Sequence, residues 1–297
     1  MSARVHRRPP RVGDRPATRY ALLVFVLTCA ALLIVAPLLV IFAQAFSMGI
    51  DAYAAAIRHP DTRHAIFLTV VTALIAVPVN TAFGIAAAWT ITKFDFRGKR
   101  LLLVVIEIPF SVSPIVAGVA YLFVYGLQGL FGPLLDSAGI KILFALPGIV
   151  LASMFVTAPF VARELIPLMQ AQGRDLEEAA TSLGASGWRT FFSVTLPNIR
   201  WAMLYGVVLC NARVMGEFGA VSVVSGNIRG QTNTLPLHIE LLYHDYQTAG
   251  AFAAASILTV LAVFTILAKV LLERRGAGRA TRPALAAPVT NVVETVR

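Results

Sequence analysis

The stretch Glu178-Ala179-Ala180, followed by Gly184 and then by Leu196-Pro197, decides how this chain is interpreted. It lies in a polar segment between two long apolar runs. Asp175 stands where it can N-cap a short helix, and Glu178 follows three residues later, in the position that completes a capping box. The segment is therefore predicted to begin with a short, capped helix.

The rest of this segment predicts a second helix and an exposed apolar face. Leu176, Ala179, Ala180 and Leu183 share one side of the first helix. Gly184 supplies a C-terminal stop, Ser186 can cap a second short helix, and Pro197 closes that helix. We predict a helix–glycine–helix elbow at the membrane surface, with an apolar face open to a partner. An ordinary amphipathic loop is the alternative.

The composition is that of a membrane protein. Hydrophobic residues make up 58% of the chain, charged residues 13%, and the mean hydropathy is +0.76. Soluble domains carry about 25% charged residues, so these values indicate an integral membrane protein. A spanning helix needs about 20 apolar residues. The run 201–228 qualifies only if Arg213 and Glu217 are accepted inside the membrane. We predict an all-α fold with six transmembrane helices, over residues 21–45, 65–92, 112–135, 142–162, 201–228 and 248–268. The third helix is expected to start before its charge-free run, nearer Leu101.

The distribution of basic residues predicts the topology. The net charge is +10, and most of the Arg and Lys residues lie in the termini and in alternate loops. The loops that would face outward carry only Arg58, Arg63, Lys141 and Arg229. By the positive-inside rule, both termini are cytoplasmic and the loop 225–247 lies outside. The basic excess is therefore a topology signal and does not indicate nucleic-acid binding.

The chain divides into one membrane domain with two polar ends. Residues 1–20 form a basic cytoplasmic leader, and residues 21–64 form the first helix and an outer loop. The core domain is predicted over 65–272, with the elbow at 173–197. Residues 273–297, rich in Gly, Ala, Pro and Thr, are predicted to be a disordered cytoplasmic tail.

No enzyme motif is found along the chain. The Gly98-Lys99 pair lacks the upstream glycine of a Walker A motif, so no ATPase site is predicted. Cys29 and Cys210 lie in apolar helices, which indicates neither a disulfide nor a metal framework. The histidines lie in the leader or in outer loops and are expected to be solvated. No cofactor and no metal are predicted.

Arg213 and Glu217 are the candidate pathway residues, because charged side chains inside a membrane are rare and tend to be functional. Their spacing allows them to pair along one helix face. Two interpretations stay open, a neutralised pair that fixes the packing or a pair that lines the pathway or its gate. Ser111 and Ser113 are weaker candidates, for which close helix packing is the alternative, and Asn211 is weaker again.

Several stretches resemble one transporter family. They are Leu196-Pro197-Asn198-Ile199-Arg200-Trp201, Gly216-Glu217-Phe218-Gly219-Ala220 and Ile108-Pro109-Phe110-Ser111-Val112-Ser113-Pro114. The elbow resembles the EAA loop of binding-protein-dependent ABC importer permeases. The flanking stretches are similar to sulfate/thiosulfate importer permeases, above all to the CysW-type subunit, over roughly residues 83–272.

This resemblance implies a type I ABC importer permease (MetI-like) fold in a bacterial plasma membrane, surrounded by lipid. It also implies a second, CysT-type permease, two ATPase subunits and an extracytoplasmic sulfate-binding protein. The implied ATPase-coupling residues are Glu178, Ala179, Ala180, Gly184, Leu196 and Pro197.

Two other transport functions stay open. A molybdate or tungstate permease would carry a tetrahedral oxyanion of the same charge, which these residues do not distinguish from sulfate. A stand-alone, ion-coupled secondary transporter belongs to another class. It would need no docking elbow, and it would often show broken, paired helices.

Overall fold

The computed structural model describes residues 16–280, and every regular element in that range is helical. The predicted all-α fold is thereby confirmed. The α-helices are α1 (Pro16–Ala30), α2 (Ala36–Ala45), α3 (Ile50–Arg58), α4 (Pro60–Lys93), α5 (Lys99–Ser111), α6 (Pro114–Tyr125), α7 (Gly132–Ser137), α8 (Leu146–Thr157), α9 (Pro159–Gln172), α10 (Asp175–Ser182), α11 (Gly187–Thr190), α12 (Leu196–Met215), α13 (Gly219–Ser225), α14 (Leu235–His244) and α15 (Thr248–Ala280).

Four helical stretches of the described chain are long and apolar enough to cross a membrane, and two bent pairs raise the number to as many as six. The continuous stretches are Thr18–Ala45, Pro60–Lys93, Leu146–Gln172 and Thr248–Ala268. The predicted six spans are reached when each bent pair counts as one span. Each predicted span overlaps one of these stretches or bent pairs, but the sequence did not predict that two of the spans are broken.

The third span is bent sharply, and the prediction of one helix over 112–135 is wrong. α5 and α6 meet at 108° around Val112 and Ser113, which both adopt extended backbone angles. Pro114 causes this break, because a proline disfavours the helical conformation in the residue before it. The helical part begins at Lys99, close to the predicted start near Leu101.

The fifth span is also bent, so the helix predicted over 201–228 is interrupted. The helix that begins at Gly187 ends at Met215, and α13 continues at an angle of 51°. Glu217 therefore lies in the break between α12 and α13 and not on the helix that carries Arg213. The charged pair still forms, as described below.

Pro197 does not close the second helix of the elbow, contrary to the prediction. The helix runs on from α11 into α12 through a wider, π-helical turn at Phe191–Thr195. A proline ring clashes with the carbonyl four residues earlier, here that of Ser193, which lies within this turn. The wider turn accommodates the ring without ending the helix. The same arrangement precedes Pro37, at Ala31–Val35.

The core lies where α4, α9 and α12 pack together. Small residues allow these helices to approach closely. A Cβ atom added at Gly84 of α4 would lie 2.6 Å from Cβ of Val161 on α9. From the other side, a Cβ atom at Gly206 of α12 would lie 3.1 Å from Cα of Val161. Val161 is thus held between two glycines.

The first and the last helix of the described chain are longer than the predicted apolar runs. The first helix begins at Pro16, within the predicted leader, and the last helix continues to Ala280, beyond position 272. The remainder of the basic leader and of the predicted disordered tail lies outside the described residues, as do the two chain ends. The predicted outer loops are partly helical, since they contain α7 and α14.

Candidate coupling surface and pathway site

The elbow starts with α10, but the predicted capping box does not form. Arg174 occupies the N-cap position, and the Glu178 N–H donates to the carbonyl of Arg174 at 3.0 Å. The reason is that the chain turns at Gly173, whose φ is +69°, so Asp175 falls inside the first turn and no side chain caps the helix. Asp175, Glu177 and Glu178 there complement the positive end of the helix dipole.

Gly184 ends α10 as predicted. Its φ is +85°, and its N–H donates to the carbonyl of Thr181 at 2.9 Å. The Ala185 N–H donates to the carbonyl of Ala180 at 3.0 Å. These two bonds form a Schellman motif, which needs a left-handed residue at this position. Ser186 occupies the next N-cap position, as predicted, but its side chain makes no capping bond.

An exposed apolar patch covers the elbow, formed by Leu176, Leu183, Trp188 and Phe192 and hereafter called the coupling patch. Leu183 is 90% exposed, and the rings of Trp188 and Phe192 stack with centroids 6.1 Å apart. Sequence reasoning found the two leucines and missed the two aromatic residues. The available signal was that Trp188 and Phe192 follow Ser186 and are four residues apart, which places them on one helix face.

The six predicted coupling residues occupy two different places. Glu178, Ala179 and Gly184 are exposed on the elbow, and Ala180 is half-buried there. Leu196 packs against the core cluster of α4, α9 and α12, and Pro197 is exposed at the start of the fifth span. The elbow and the span are covalently continuous, so the motif joins a surface to a membrane helix.

An ion pair links Arg174 of the elbow to the turn between α4 and α5. The Arg174 guanidinium donates to Asp95 Oδ2 at 3.0 Å, and Lys99 lies 3.7 Å from Asp95 Oδ1. The hydrogen bond from Arg174 holds the pKa of Asp95 below its usual value, and the same bond raises the pKa of Arg174. The carboxylate is exposed, so solvent screens this pair and it contributes little stability.

Arg213 and Glu217 form an ion pair at the break of the fifth span. Arg213 Nη1 lies 2.8 Å from Glu217 Oε2. The two side chains differ in exposure, since 34% of Arg213 is exposed and only 1% of Glu217. Glu217 Oε1 also accepts the Ala220 N–H at 3.0 Å and thereby caps α13. The carboxylate is thus buried and fixed, and the guanidinium is the charge that reaches the surface of the break.

The breaks of the third and fifth spans lie side by side. A Cβ atom at Gly219 would be 3.0 Å from Cβ of Pro114, and one at Gly118 would be 2.8 Å from the carbonyl oxygen of Ala220. Ser113 is the N-cap residue of α6, and both Ser111 and Ser113 are exposed. The structure therefore brings the predicted serine segment next to the segment that contains Glu217.

Asn211, the weakest pathway candidate, contacts its own helix. Its side-chain N–H₂ donates to Sδ of Met215 at 3.7 Å, and the residue is half-buried. Within the described residues, no three His, Cys, Asp or Glu side chains are grouped so that they could hold a metal ion.

A cavity of about 340 Å³ lies among α3, α4, α14 and α15 and includes His59, Asp61, Arg229 and His238 in its lining. His238 is buried, contrary to the expectation of a solvated side chain, and its Nε2 lies 3.0 Å from Thr62 Oγ1. Burial lowers the pKa of His238. The charge of Asp61 raises this pKa, whereas His59 and Arg229 lower it.

The chain is similar to several known transport proteins. The family model described as "Binding-protein-dependent transport system inner membrane component" matches residues 80–277. The sulfate transport system permease protein CysW of Escherichia coli (strain K12) is 56% identical over 246 residues, which cover 83% of this chain and 84% of that protein. CysW of Synechocystis is 48% identical over 257 residues, covering 86% and 93%. The probable cysT permease of Chlorokybus atmophyticus is 38% identical over 67% of this chain and 70% of that protein.

A solved structure shares the fold. A permease chain of a bacterial ABC transporter involved in the import of the acidic polysaccharide alginate superposes with a TM-score of 0.72 at 16% identity, covering 88% of this chain and 96% of that chain. This likeness confirms the predicted permease fold. The family match and the identities also confirm the prediction of a multi-pass transport subunit that is not itself an enzyme. The chain belongs to the family of binding-protein-dependent transport system inner membrane components, the permeases of ABC importers.

Proposed function

We propose that this chain is the CysW-type permease subunit of an ATP-driven importer of sulfate, with thiosulfate as a second substrate. The observation that carries the proposal is the 56% identity to a sulfate transport permease over 83% of the chain. The match covers 246 of the 297 residues, which is enough of the chain to take in the elbow and both broken spans.

The charges at the break of the fifth span suit an anion. Glu217 is buried at 1% exposure, whereas 34% of Arg213 is exposed, so the positive charge is the one presented at the surface. A positive charge between low-dielectric walls attracts an oxyanion, and the nearby carboxylate prevents the anion from being held too tightly. Broken helices mark substrate sites in many transporters. The exposed hydroxyls of Ser111 and Ser113 and the Asn211 amide supply neutral hydrogen-bonding groups in this part of the molecule.

The coupling patch is the proposed docking surface for the ATPase. Its four apolar side chains stand on α10 and its C-cap, on α11 and on the π-helical turn that follows. Such an exposed surface fits an apolar groove on a partner. Glu178, Ala179, Ala180 and Gly184 shape this elbow, and Leu196 and Pro197 connect it to the fifth span. Closure of the ATPase would move the elbow and switch the pathway from inward-open to outward-open.

The proposed assembly contains this chain, a CysT-type permease, two ATPase subunits and an extracytoplasmic sulfate-binding protein. A relative named cysT that is 38% identical to this chain supports a pair of related permeases. The elbow and both termini are cytoplasmic in this proposal, and the loop 225–247 faces outward. Lipid contacts the exposed apolar side chains of the first span.

Growth and uptake test the function. Deletion of the gene is expected to abolish growth on sulfate as the sole sulfur source and to abolish uptake of labelled sulfate, while molybdate uptake continues. Arg213→Gln/Glu217→Gln removes both charges, keeps the volume of the side chain at 217 and retains an oxygen there that accepts the Ala220 N–H. This variant is expected to reach normal abundance and to leave growth on sulfate unrestored.

Arg200→Gln is the matched control, because Arg200 lies on the same helix, is exposed, and stands over the Trp201 ring. It is expected to restore uptake. Full sulfate uptake in the deletion strain, or loss of molybdate uptake in place of sulfate uptake, would overturn the assignment of substrate.

A further inference from the structure

Lys93, the last residue of α4, is buried at the cytoplasmic end of the domain. Its side chain is 8% exposed, and its ammonium lies 2.8 Å from Glu177 Oε1. The same ammonium donates to the carbonyl of Gly173, the residue at which the chain turns into the elbow. A lysine is seldom buried to this extent without a partner, and both of its partners belong to the elbow.

Glu177 extends this contact to the fifth span. Its Oε1 also accepts the Thr195 hydroxyl at 3.1 Å, and Thr195 is 1% exposed within the π-helical turn that begins this span. Lys93, Glu177 and Thr195 therefore join the end of α4, the first turn of α10 and the base of α12. We refer to these three residues as the α4 joint.

The other end of α4 is attached to the outer loop. Thr69 Oγ1 accepts the Leu235 N–H at 2.8 Å, and Thr62 Oγ1 lies 3.0 Å from His238 Nε2. α4 has 34 residues, which at 1.5 Å per residue makes it about 50 Å long. One continuous helix thus connects the elbow to the outer loop 225–247.

We propose that the α4 joint transmits the movement of the elbow to α4 and, through α4, to the outer loop. Lys93 and Glu177 are positioning residues in this proposal, which rests on the proposed function because it requires an ATPase that moves the elbow. A buried ion pair with an additional hydrogen bond resists separation more than an exposed pair does. The joint therefore carries force between the elbow and the span, whereas Glu178, the acidic residue of the EAA motif, stays exposed on the surface.

The neighbouring Lys99 offers a matched control. It also pairs with a carboxylate close to the elbow, but at 3.7 Å and with an Asp95 side chain that is 75% exposed. Lys93→Met removes the charge and keeps most of the stem, and Lys99→Met does the same at the exposed pair. Lys93→Arg keeps the charge and serves as the conservative variant.

Two readouts test the joint in the reconstituted complex with its ATPase subunits. The first is uptake per ATP hydrolysed, which is expected to fall about tenfold in Lys93→Met, within the usual range of coupling between sites. The second is the distance between spin labels on Ser137 and Gln231, two exposed residues of the predicted outer loops. Trapping of the ATP-bound state is expected to change this distance in the wild type, in Lys99→Met and in Lys93→Arg, and to leave it unchanged in Lys93→Met.

The outcomes separate the joint from the proposed function. A wild-type complex whose outer distance responds to ATP but which imports no sulfate would contradict the substrate and leave the joint supported by the second readout. A Lys93→Met complex with wild-type uptake per ATP and a wild-type distance change would overturn the joint alone.

A purely structural role would lower the amount of complex without changing uptake per ATP, and that result would also overturn the joint. If Lys93→Met does not assemble, Lys93→Met/Glu177→Gln removes both charges and retains an oxygen for the Thr195 hydroxyl. This double variant is expected to assemble and to remain uncoupled, and coupled transport by it would refute the proposal.

Discussion

Replacing either member of the Arg213–Glu217 pair is expected to have unequal effects on stability. Arg213→Ala leaves Glu217, whose side chain is 1% exposed, without its counter-charge, whereas Glu217→Ala leaves Arg213, whose side chain is 34% exposed. Water can solvate the second group and cannot reach the first. Arg213→Ala is therefore the more damaging change, although arginine is the more exposed residue.

The size of the difference follows from these two environments. Leaving one charge of a buried pair uncompensated costs about 3–5 kcal/mol. Glu217→Ala loses the cap on the Ala220 N–H, which is worth about 1 kcal/mol, and a half-solvated pair that adds at most about 1 kcal/mol. Arg213→Ala is thus expected to lower the free energy of unfolding by about 2 kcal/mol more than Glu217→Ala, roughly a thirtyfold difference in equilibrium.

Denaturant unfolding of the purified chain in detergent measures this difference. The double variant Arg213→Ala/Glu217→Ala is expected to recover most of the loss seen in Arg213→Ala, because no unpaired charge remains in the interior. Arg200→Ala serves as a control for the loss of an arginine from the same helix. Equal losses in the two single variants, or a larger loss in Glu217→Ala, would refute the reasoning from burial.

Three further predictions concern the elbow, the outer cavity and the topology. Gly184→Val forces a valine to a φ of +85°, which costs about 1–2 kcal/mol. The variant is expected to insert normally in the membrane, but its ATP hydrolysis is expected to be uncoupled from uptake. Normal uptake would contradict the role of the elbow in coupling. Burial lowers the pKa of His238 in the folded chain, so at a pH below the ordinary histidine pKa of about 6.5 the unfolded chain binds more protons than the folded one. The melting temperature is therefore expected to fall as the pH drops from about 7.5 to 5.5, and to fall less in His238→Gln. Equal pH dependence in the two proteins would refute this assignment. A cysteine placed at Gln231 is expected to react with an impermeant reagent from outside and one at Arg174 is not, and reversed labelling would overturn the topology.

The spans could be predicted from sequence because apolar length is a property of the chain alone. The breaks could not be located in the same way. Pro78 lies within α4 without ending it, whereas Pro114 begins a new helix after a 108° bend. Both are prolines in apolar surroundings, and the difference depends on whether neighbouring helices re-satisfy the freed backbone groups.

The sequence predicted which residues form the candidate site, but it did not predict how deeply each of them is buried. The spacing of Arg213 and Glu217 predicted their pairing, which the structure contains at 2.8 Å. Their unequal burial depends on where α12 ends, and Gly216 and Gly219 on either side of the break were the available signal. Glu177 was missed because a single sequence does not show that Lys93, 84 positions earlier, lies beside it.

The most direct measurement of the central claim is ATP-dependent uptake of labelled sulfate by proteoliposomes. They would contain this chain with its partner permease and ATPase subunits, and the sulfate-binding protein would be added on the opposite side from ATP. The account predicts that sulfate accumulates only when ATP is hydrolysed, and that Arg213→Gln/Glu217→Gln abolishes this uptake while ATP is still bound. Sulfate uptake of equal rate without ATP, driven by an ion gradient and by this chain alone, would contradict it.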